Sequence, residues 1–290
     1  MTEKRVGVIG AASFVGERLL PLLTQDSYQI TAFSRRGGKG TVALRQAAVE
    51  PVGTIEDWVC LAPIWTVAEH FQLFAEHGVK RLVALSSTSR FSKIDSRSCA
   101  DRELAARLMR GEEQVLEWAA IRNCTVVILQ PTLIYGLGKD KNVTEIARFI
   151  KRFGFFPLFG QGAGLRQPVH VDDVAAACIA ALRVPAGKKQ AYILSGQEAL
   201  TYRAMVERIF AALGRRPHFI RCPHLVFSLA VRLANLLPPF KGLTTEMAVR
   251  MNKDQNFDHP EAEADLGFSP RPFYPRPSDV MVDVEGELQR

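Results

Sequence analysis

The sequence predicts an α/β fold, a doubly wound parallel sheet with helices on both faces and a smaller C-terminal lobe. Three observations predict it. Short apolar, β-branched runs alternate with helix-period stretches from Val6 to Leu129, as expected of strands buried on both faces by crossover helices. A small-residue turn, Gly10-Ala-Ala-Ser13-Phe14-Val15-Gly16, joins the first such run to the first helical pattern. After about residue 138 the alternation breaks down, so 1–138 reads as one domain, rejoined by about 165–195, with 139–290 mainly a second lobe.

Taken in order, Val6–Gly10 is the first strand and Val15, Leu19 and Leu20 begin the first helix. Gly10 allows a sharp turn, and Gly16 allows the helix to approach the strand closely. The free N–H groups of the helix's first turn then face an anion such as a pyrophosphate. The alternative is a small-residue turn with no ligand. Tyr28–Phe33 is a second strand, ending at Ser34-Arg35-Arg36. A dinucleotide site distinguishes its cofactors at this strand end: an acid would hold a ribose 2′-hydroxyl, whereas arginine pairs with a 2′-phosphate. Arginine without an acid favours NADP(H) over NAD(H); otherwise the pair is simply solvated. Thr41–Leu44 follows too closely for a crossover helix, which predicts an irregular third strand.

Trp58–Pro63 reads as a buried strand, followed by a helix through Val67, Phe71 and Phe74 on which His70 and His77 lie on a solvated face. Arg81–Leu85 is the next strand and ends on Ser86-Ser87-Thr88-Ser89. Hydroxyls at this end of a parallel strand either face the ligand crevice or satisfy loop backbone. A helix over about 102–120 leads to the strand Thr125–Leu129 and the turn Gln130-Pro131-Thr132. Beyond it, Val143–Phe153 and Thr201–Leu213 read as helices, Phe155–Gly160 as apolar and turn-rich, Ala191–Leu194 as a strand, and Asp173 as the cap of a helix. The stretch 225–237 carries a single charge, Arg232. It suits a core helix, a homodimer or partner contact, or a membrane surface. One short helix and an extended tail complete the chain.

Composition narrows the function classes. With 47% hydrophobic and 23% charged residues the chain is globular, and no apolar run approaches the ~20 residues of a transmembrane segment. The net charge of +7, with arginines scattered along the chain, fits an acidic small-molecule substrate or a solvated surface and not nucleic acid. No secretory leader pattern is present, and the five cysteines include no C-x-x-C pair. Both features fit a reduced, cytoplasmic protein. No G-x-S-x-G elbow or H-E-x-x-H pair occurs, so serine hydrolysis and metal catalysis are not expected.

Five segments in order, Gly10–Gly16, Leu85-Ser-Ser-Thr88, Leu129–Gly136, Arg166–Ala175 and Asp265–Pro270, resemble the extended short-chain dehydrogenase/reductase superfamily, in particular its NAD(P)-dependent epimerase/dehydratase-like branch. The resemblance implies a Rossmann domain and a C-terminal substrate lobe. It further implies pyrophosphate contacts at Gly10, Ser13, Phe14, Val15 and Gly16, a 2′-phosphate contact at Arg35, the adenosine side at Leu61 and Ala62, and the nicotinamide near Pro131 and Thr132. Arg166 matches an arginine that pairs with a substrate diphosphate in sugar-nucleotide members.

The same resemblance implies a Tyr-x-x-x-Lys pair for proton transfer, with a Ser or Thr on the preceding strand orienting the substrate oxygen. Ser87 falls on the latter position. The helix that should carry the pair has Leu104 and Leu108 there. Tyr135 and Lys139 form a literal Tyr-x-x-x-Lys, but in a loop, leaving Tyr135 a weak candidate proton donor. Two readings follow: an NADP(H)-dependent oxidoreductase or epimerase/dehydratase-like enzyme on a polar, nucleotide-sugar-like substrate, or a catalytically silent NADP-binding sensor or assembly protein.

Overall fold

A computed structural model describes residues 4–34, 40–43, 53–222 and 251–281. Arg35, Arg36 and the 225–237 stretch lie outside them. The described chain separates into two compact units: 1–132, 171–194 and 258–270 in the first, and 133–170, 195–257 and 271–290 in the second.

The first unit is built on a seven-stranded parallel sheet. β1 (Lys4–Ile9) lies between β2 (Tyr28–Ser34) and β4 (Asp57–Cys60), with β3 (Val42–Ala43) outside β2. On the other side β5 (Arg81–Leu85), β6 (Thr125–Pro131) and the strand Ala191–Leu194 follow β4 in that order. Two faces are legible in the side chains. Trp58, Cys60, Leu82, Ala84, Val126 and Ile128 join one core cluster with Ile64 and with Leu108, Val115 and Ala119 of the long helix Cys99–Arg122. Their neighbours Val59, Val83 and Val127 point the other way and are equally buried. A period of two buried on both sides requires cover on both faces.

Trp58 centres the first of these cores, stacked on Phe33 at 5.1 Å and edge-on to Phe74 at 5.0 Å. It also explains Gly7, whose role was not apparent from spacing. A Cβ there would lie 2.4 Å from the indole ring. The predicted helix through Val67 and Phe74 is a 3-10 segment, Ile64–His70, followed by a short α-helix, Phe71–Glu76. Its solvated histidine face requires correction. His77 is buried, packs against Trp58 and bonds the Gly53 carbonyl through Nδ1 at 2.7 Å. The helix ends at Glu76, and the residue that follows it turns into the sheet's core, which residue spacing alone did not reveal. Among the described residues the compressed third strand is Val42–Ala43, paired with Phe33 and Ser34.

The second unit packs the helices Val143–Phe153 and Tyr202–Ala212 around Tyr135, Phe156, Met251 and Phe273. Asp140 organises the start of the first helix, its carboxylate accepting from Asn142 N–H at 2.8 Å and the Thr144 hydroxyl at 2.6 Å. Thr201 caps the second through Ala204 N–H at 3.1 Å. Phe156–Phe159, expected to be turn-rich, is instead a strand paired in parallel with Phe219–Cys222. Pairing across long sequence separation made the strand; the local residues alone read as turn. Asp173 is also corrected: the helix begins at Val171, so Asp172 and Asp173 lie within its first turn, where acids complement the helix dipole.

The second unit contains a buried acid–histidine pair that sequence reading missed because its members are 109 residues apart. His170 Nε2 lies 3.3 Å from Asp279 Oδ1, and Asp279 also accepts from Arg276 N–H at 2.8 Å. Burial by itself would raise the Asp279 pKa. The bonds from His170 and Arg276 and the His170 charge outweigh it and hold the carboxyl at about 2. A carboxyl depressed below its unfolded value of about 3.9 stabilises the fold fully above that pH and loses the contribution as pH falls toward 2. Asp279→Asn is therefore expected to flatten the stability profile between about pH 4 and pH 2, measured by urea unfolding at stepped pH. An unchanged acid limb would remove Asp279 as its source.

Candidate dinucleotide and substrate site

The turn after β1 brings together several expected cofactor residues. Gly10 has φ of +81°, the left-handed region that glycine enters without strain. Ser13 N–H closes the turn onto the Gly10 carbonyl at 2.9 Å. Ser13 then caps α1 (Phe14–Gln25), its hydroxyl accepting from Gly16 N–H at 3.1 Å. That leaves Phe14 and Val15 N–H at the helix start, where no intrahelical acceptor exists. Gly16 lies so close to Ala11 that a Cβ would stand 2.2 Å from its carbonyl oxygen. A tight backbone turn, unused donors and the positive end of a twelve-residue helix fit a diphosphate.

Serine at position 13 thus has a local cause, helix capping. Ser13→Ala is expected to cost about 1 kcal/mol and Ser13→Gly only a few tenths, measured by urea unfolding. Equal losses would show that the hydroxyl contributes no cap.

The loop after β4 packs against the same turn. Leu61 N–H bonds the Ile9 carbonyl at 2.9 Å, and a Cβ on Gly10 would meet Ala62 N at 3.2 Å. At the end of β2, the Ser34 and Thr41 hydroxyls are 3.0 Å apart. The neighbouring strand ends are stitched together: Ser86 N–H bonds the Leu129 carbonyl at 2.8 Å, Thr88 N–H the Pro131 carbonyl at 3.1 Å, and Thr132 N–H the Leu194 carbonyl at 3.0 Å. Ser87, Pro131 and Thr132 consequently belong to one edge of the first unit.

Ser87 is half-buried, and its hydroxyl oxygen accepts from Ser89 N–H at 3.1 Å. A hydroxyl that accepts in this way retains its O–H as a hydrogen-bond donor. Immediately beside it is a polar cluster that sequence reading did not identify. Glu112, 2% exposed on the long helix, accepts from the Ser86 hydroxyl, from Gln130 Nε2 at 3.0 Å to each oxygen, and from Arg90 Nη1. Leu108 precedes it by one turn and is 4% exposed. The helix therefore brings hydrocarbon where proton transfer would need a titrating group, then a carboxylate engaged by three donors.

Tyr135 and Arg166 lie in the second unit. Tyr135 is 1% exposed, edge-on to His170 at 5.0 Å and to Phe273 at 4.8 Å. Its ring is a core element. The guanidinium of Arg166, 4% exposed, directs Nη1 to the Leu165 and Lys253 carbonyls at 2.6 and 2.8 Å and lies over Tyr202. It joins segments 165–166 and 253–255, an arrangement that faces protein carbonyls. Neither residue's burial was legible, because each packs against residues far away in sequence. Among the described cysteines, burial pushes the Cys60 and Cys178 thiols up to about 12, which leaves them unreactive at neutral pH.

The NAD dependent epimerase/dehydratase family pattern matches residues 62–195, covering the loop after β4, Ser87, the long helix, the Pro131 turn and the last sheet strand. The matched family is described as NAD dependent, and the turn at Gly10–Gly16 lies outside the matched residues.

The chain is 32% identical over 160 residues to NADH dehydrogenase [ubiquinone] 1 alpha subcomplex subunit 9, mitochondrial, of Arabidopsis thaliana, covering 54% of this chain and 37% of that protein. It is 28% identical over 165 residues to GDP-L-fucose synthase 1 of the same organism, covering 48% and 50%. The chain thus spans about a third to half the length of these curated relatives. The crystal structure of UDP-glucose 4-epimerase with UDP-glucose from Thermotoga maritima matches 99% of this chain and 100% of its own, with a TM-score of 0.67 at 15% identity. At that identity the likeness concerns the fold. Among the described residues, no helix is long and apolar enough to cross a membrane.

Proposed function

We propose that this protein binds a nicotinamide dinucleotide at the Gly10–Gly16 turn and uses it on a polar, nucleotide-sugar-like substrate. The observation that carries the reading is the pairing of a diphosphate-shaped turn with the Ser87 hydroxyl two strands away on the same sheet. Phe14 and Val15 N–H hold the diphosphate, Leu61 and Ala62 flank the adenosine side, and Pro131 and Thr132 border the nicotinamide. The nicotinamide, when bound, supplies hydride acceptance and donation. Ser87 donates a hydrogen bond to the substrate oxygen and orients it. Arg35 and Arg36 favour NADP(H) over NAD(H) by pairing with a 2′-phosphate. The resemblance to sugar-nucleotide enzymes, including the named fucose synthase and epimerase, supports the substrate class.

A second reading is favoured by a specific feature, the absence of a titrating group at Leu104 and Leu108 together with the burial of Tyr135. On that reading the protein binds the cofactor without turning it over and serves an assembly or sensing role; the relative named as an NADH dehydrogenase subunit supports it. Ser87→Ala separates the two. Under the first reading, turnover of NADPH with sugar nucleotides or carbonyl compounds falls about 100-fold or more while NADPH binding changes little. Wild-type protein that binds NADPH but turns over no compound in such a panel supports the second.

A further inference from the structure

The Arg90–Glu112 pair is more than a structural brace. Arg90 follows the Ser86–Ser89 turn and reaches Glu112 through Nη1, while its guanidinium stacks on the Phe91 ring, 4.9 Å from the centroid. Its Nε is buried and has no hydrogen-bond partner among the described residues. A buried N–H donor left unsatisfied is uncommon and calls for an acceptor beyond them. Glu112 offers none to Nε: its oxygens already take Ser86, Gln130 and Arg90 Nη1.

The position of this donor in the sheet identifies the acceptor. The diphosphate turn belongs to β1, and the cofactor-selecting strand end belongs to β2. A dinucleotide with its phosphates over β1 and its adenosine toward β2 must extend the other nucleoside over β4, β5 and β6. β5 lies two strands from β1, about 10 Å at ordinary strand spacing, which is within reach of that second nucleoside. Arg90 sits just beyond the carboxyl end of β5, four residues after Ser86. Resting on the dinucleotide reading above, we propose that Arg90, held in place by Glu112, binds the nicotinamide-ribose half of the cofactor through Nε–H. The ribose hydroxyls supply acceptor oxygens of the required kind. Glu112 is then a positioning residue: it fixes the guanidinium and, through Ser86, the turn that carries Ser87.

The test compares whole dinucleotide with its adenosine half. NADPH, NADH and ADP, which lacks the second ribose, are titrated calorimetrically against wild type, Arg90→Lys and the double variant Arg90→Leu/Glu112→Leu. The double variant removes both charges, so no uncompensated buried carboxylate is left to unfold the protein. The expected result is a loss of about tenfold or more for both dinucleotides in the double variant, because a charged donor is lost, with ADP affinity within about twofold of wild type. Arg90→Lys retains the charge but has no Nε–H donor of that geometry, and falls between them. A purely structural brace would not separate the two ligand classes. Unchanged dinucleotide affinity in the double variant, or an equal loss for ADP, overturns the proposal. Wild-type protein that binds ADP and neither dinucleotide any better also overturns it. Failure of wild type to bind any of the three overturns the dinucleotide reading itself and this proposal with it.

Discussion

Gly16→Val removes dinucleotide binding and destabilises the protein by about 1–3 kcal/mol, the usual cost of forcing atoms into a packed site. The cause is local. A Cβ at this position stands 2.2 Å from the Ala11 carbonyl oxygen and 2.7 Å from its carbon. Neither partner is the flexible end of a side chain, so relief requires the helix start to move away from the turn. That movement displaces Phe14 and Val15 N–H from where a diphosphate would meet them. Gly16→Ala carries the same Cβ and should show the same direction of effect. Thermal unfolding and NADPH titration read the two consequences separately. A Gly16→Ala protein with wild-type affinity would show that the close approach does not set the position of the donors.

Glu112→Leu destabilises the protein by about 3 kcal/mol, near the lower end for breaking a buried pair because Arg90 retains partial exposure. Removing the carboxylate leaves Arg90 without its counter-charge and the Ser86 hydroxyl and Gln130 amide without their acceptor. Adding Arg90→Leu is expected to recover part of the loss, since two apolar side chains in place of a buried pair are often tolerated. Chemical denaturation of both single variants and the double variant yields the coupling energy. A double variant no more stable than Glu112→Leu would assign the cost to Ser86 and Gln130, and not to the uncompensated cation.

Much of the first unit was legible because its signals are local. Apolar runs of strand length, glycine-spaced turns and helical repeats each depend on residues within a few positions of one another. The Pro131–Thr132 turn and the Ser87 hydroxyl were recognisable as strand-end residues for the same reason. Trp58 was recognisable as buried. That Gly7 exists to admit its indole ring was not, because the two residues meet across neighbouring strands.

The acid–base residues show the same division more sharply. Leu104 and Leu108 are visible in the sequence as apolar residues on a helix expected to carry a tyrosine and a lysine. Glu112, one turn further on, looks like any acid on a helix rich in charge. Only its burial among Ser86, Arg90 and Gln130, which arrive from two strand ends and a short helix, makes it distinct. Tyr135 carried the right spacing to Lys139, yet its ring is enclosed by His170 and Phe273, the latter 138 residues away.

By itself, then, the sequence determined the parallel α/β architecture, the small-residue turn between the first strand and the first helix, and the lack of a Tyr-x-x-x-Lys pair on the long helix. These follow from residue type, period and spacing, which act over one strand or one helical turn. Tertiary structure alone decided that Glu112 accepts three donors, that Arg90 keeps a buried Nε–H unpaired among the described residues, that His170 meets Asp279, and that Tyr135 and Arg166 are packed inward. Burial and hydrogen-bond partnership depend on which distant segments the fold brings within about 3 Å, and no local pattern carries that information.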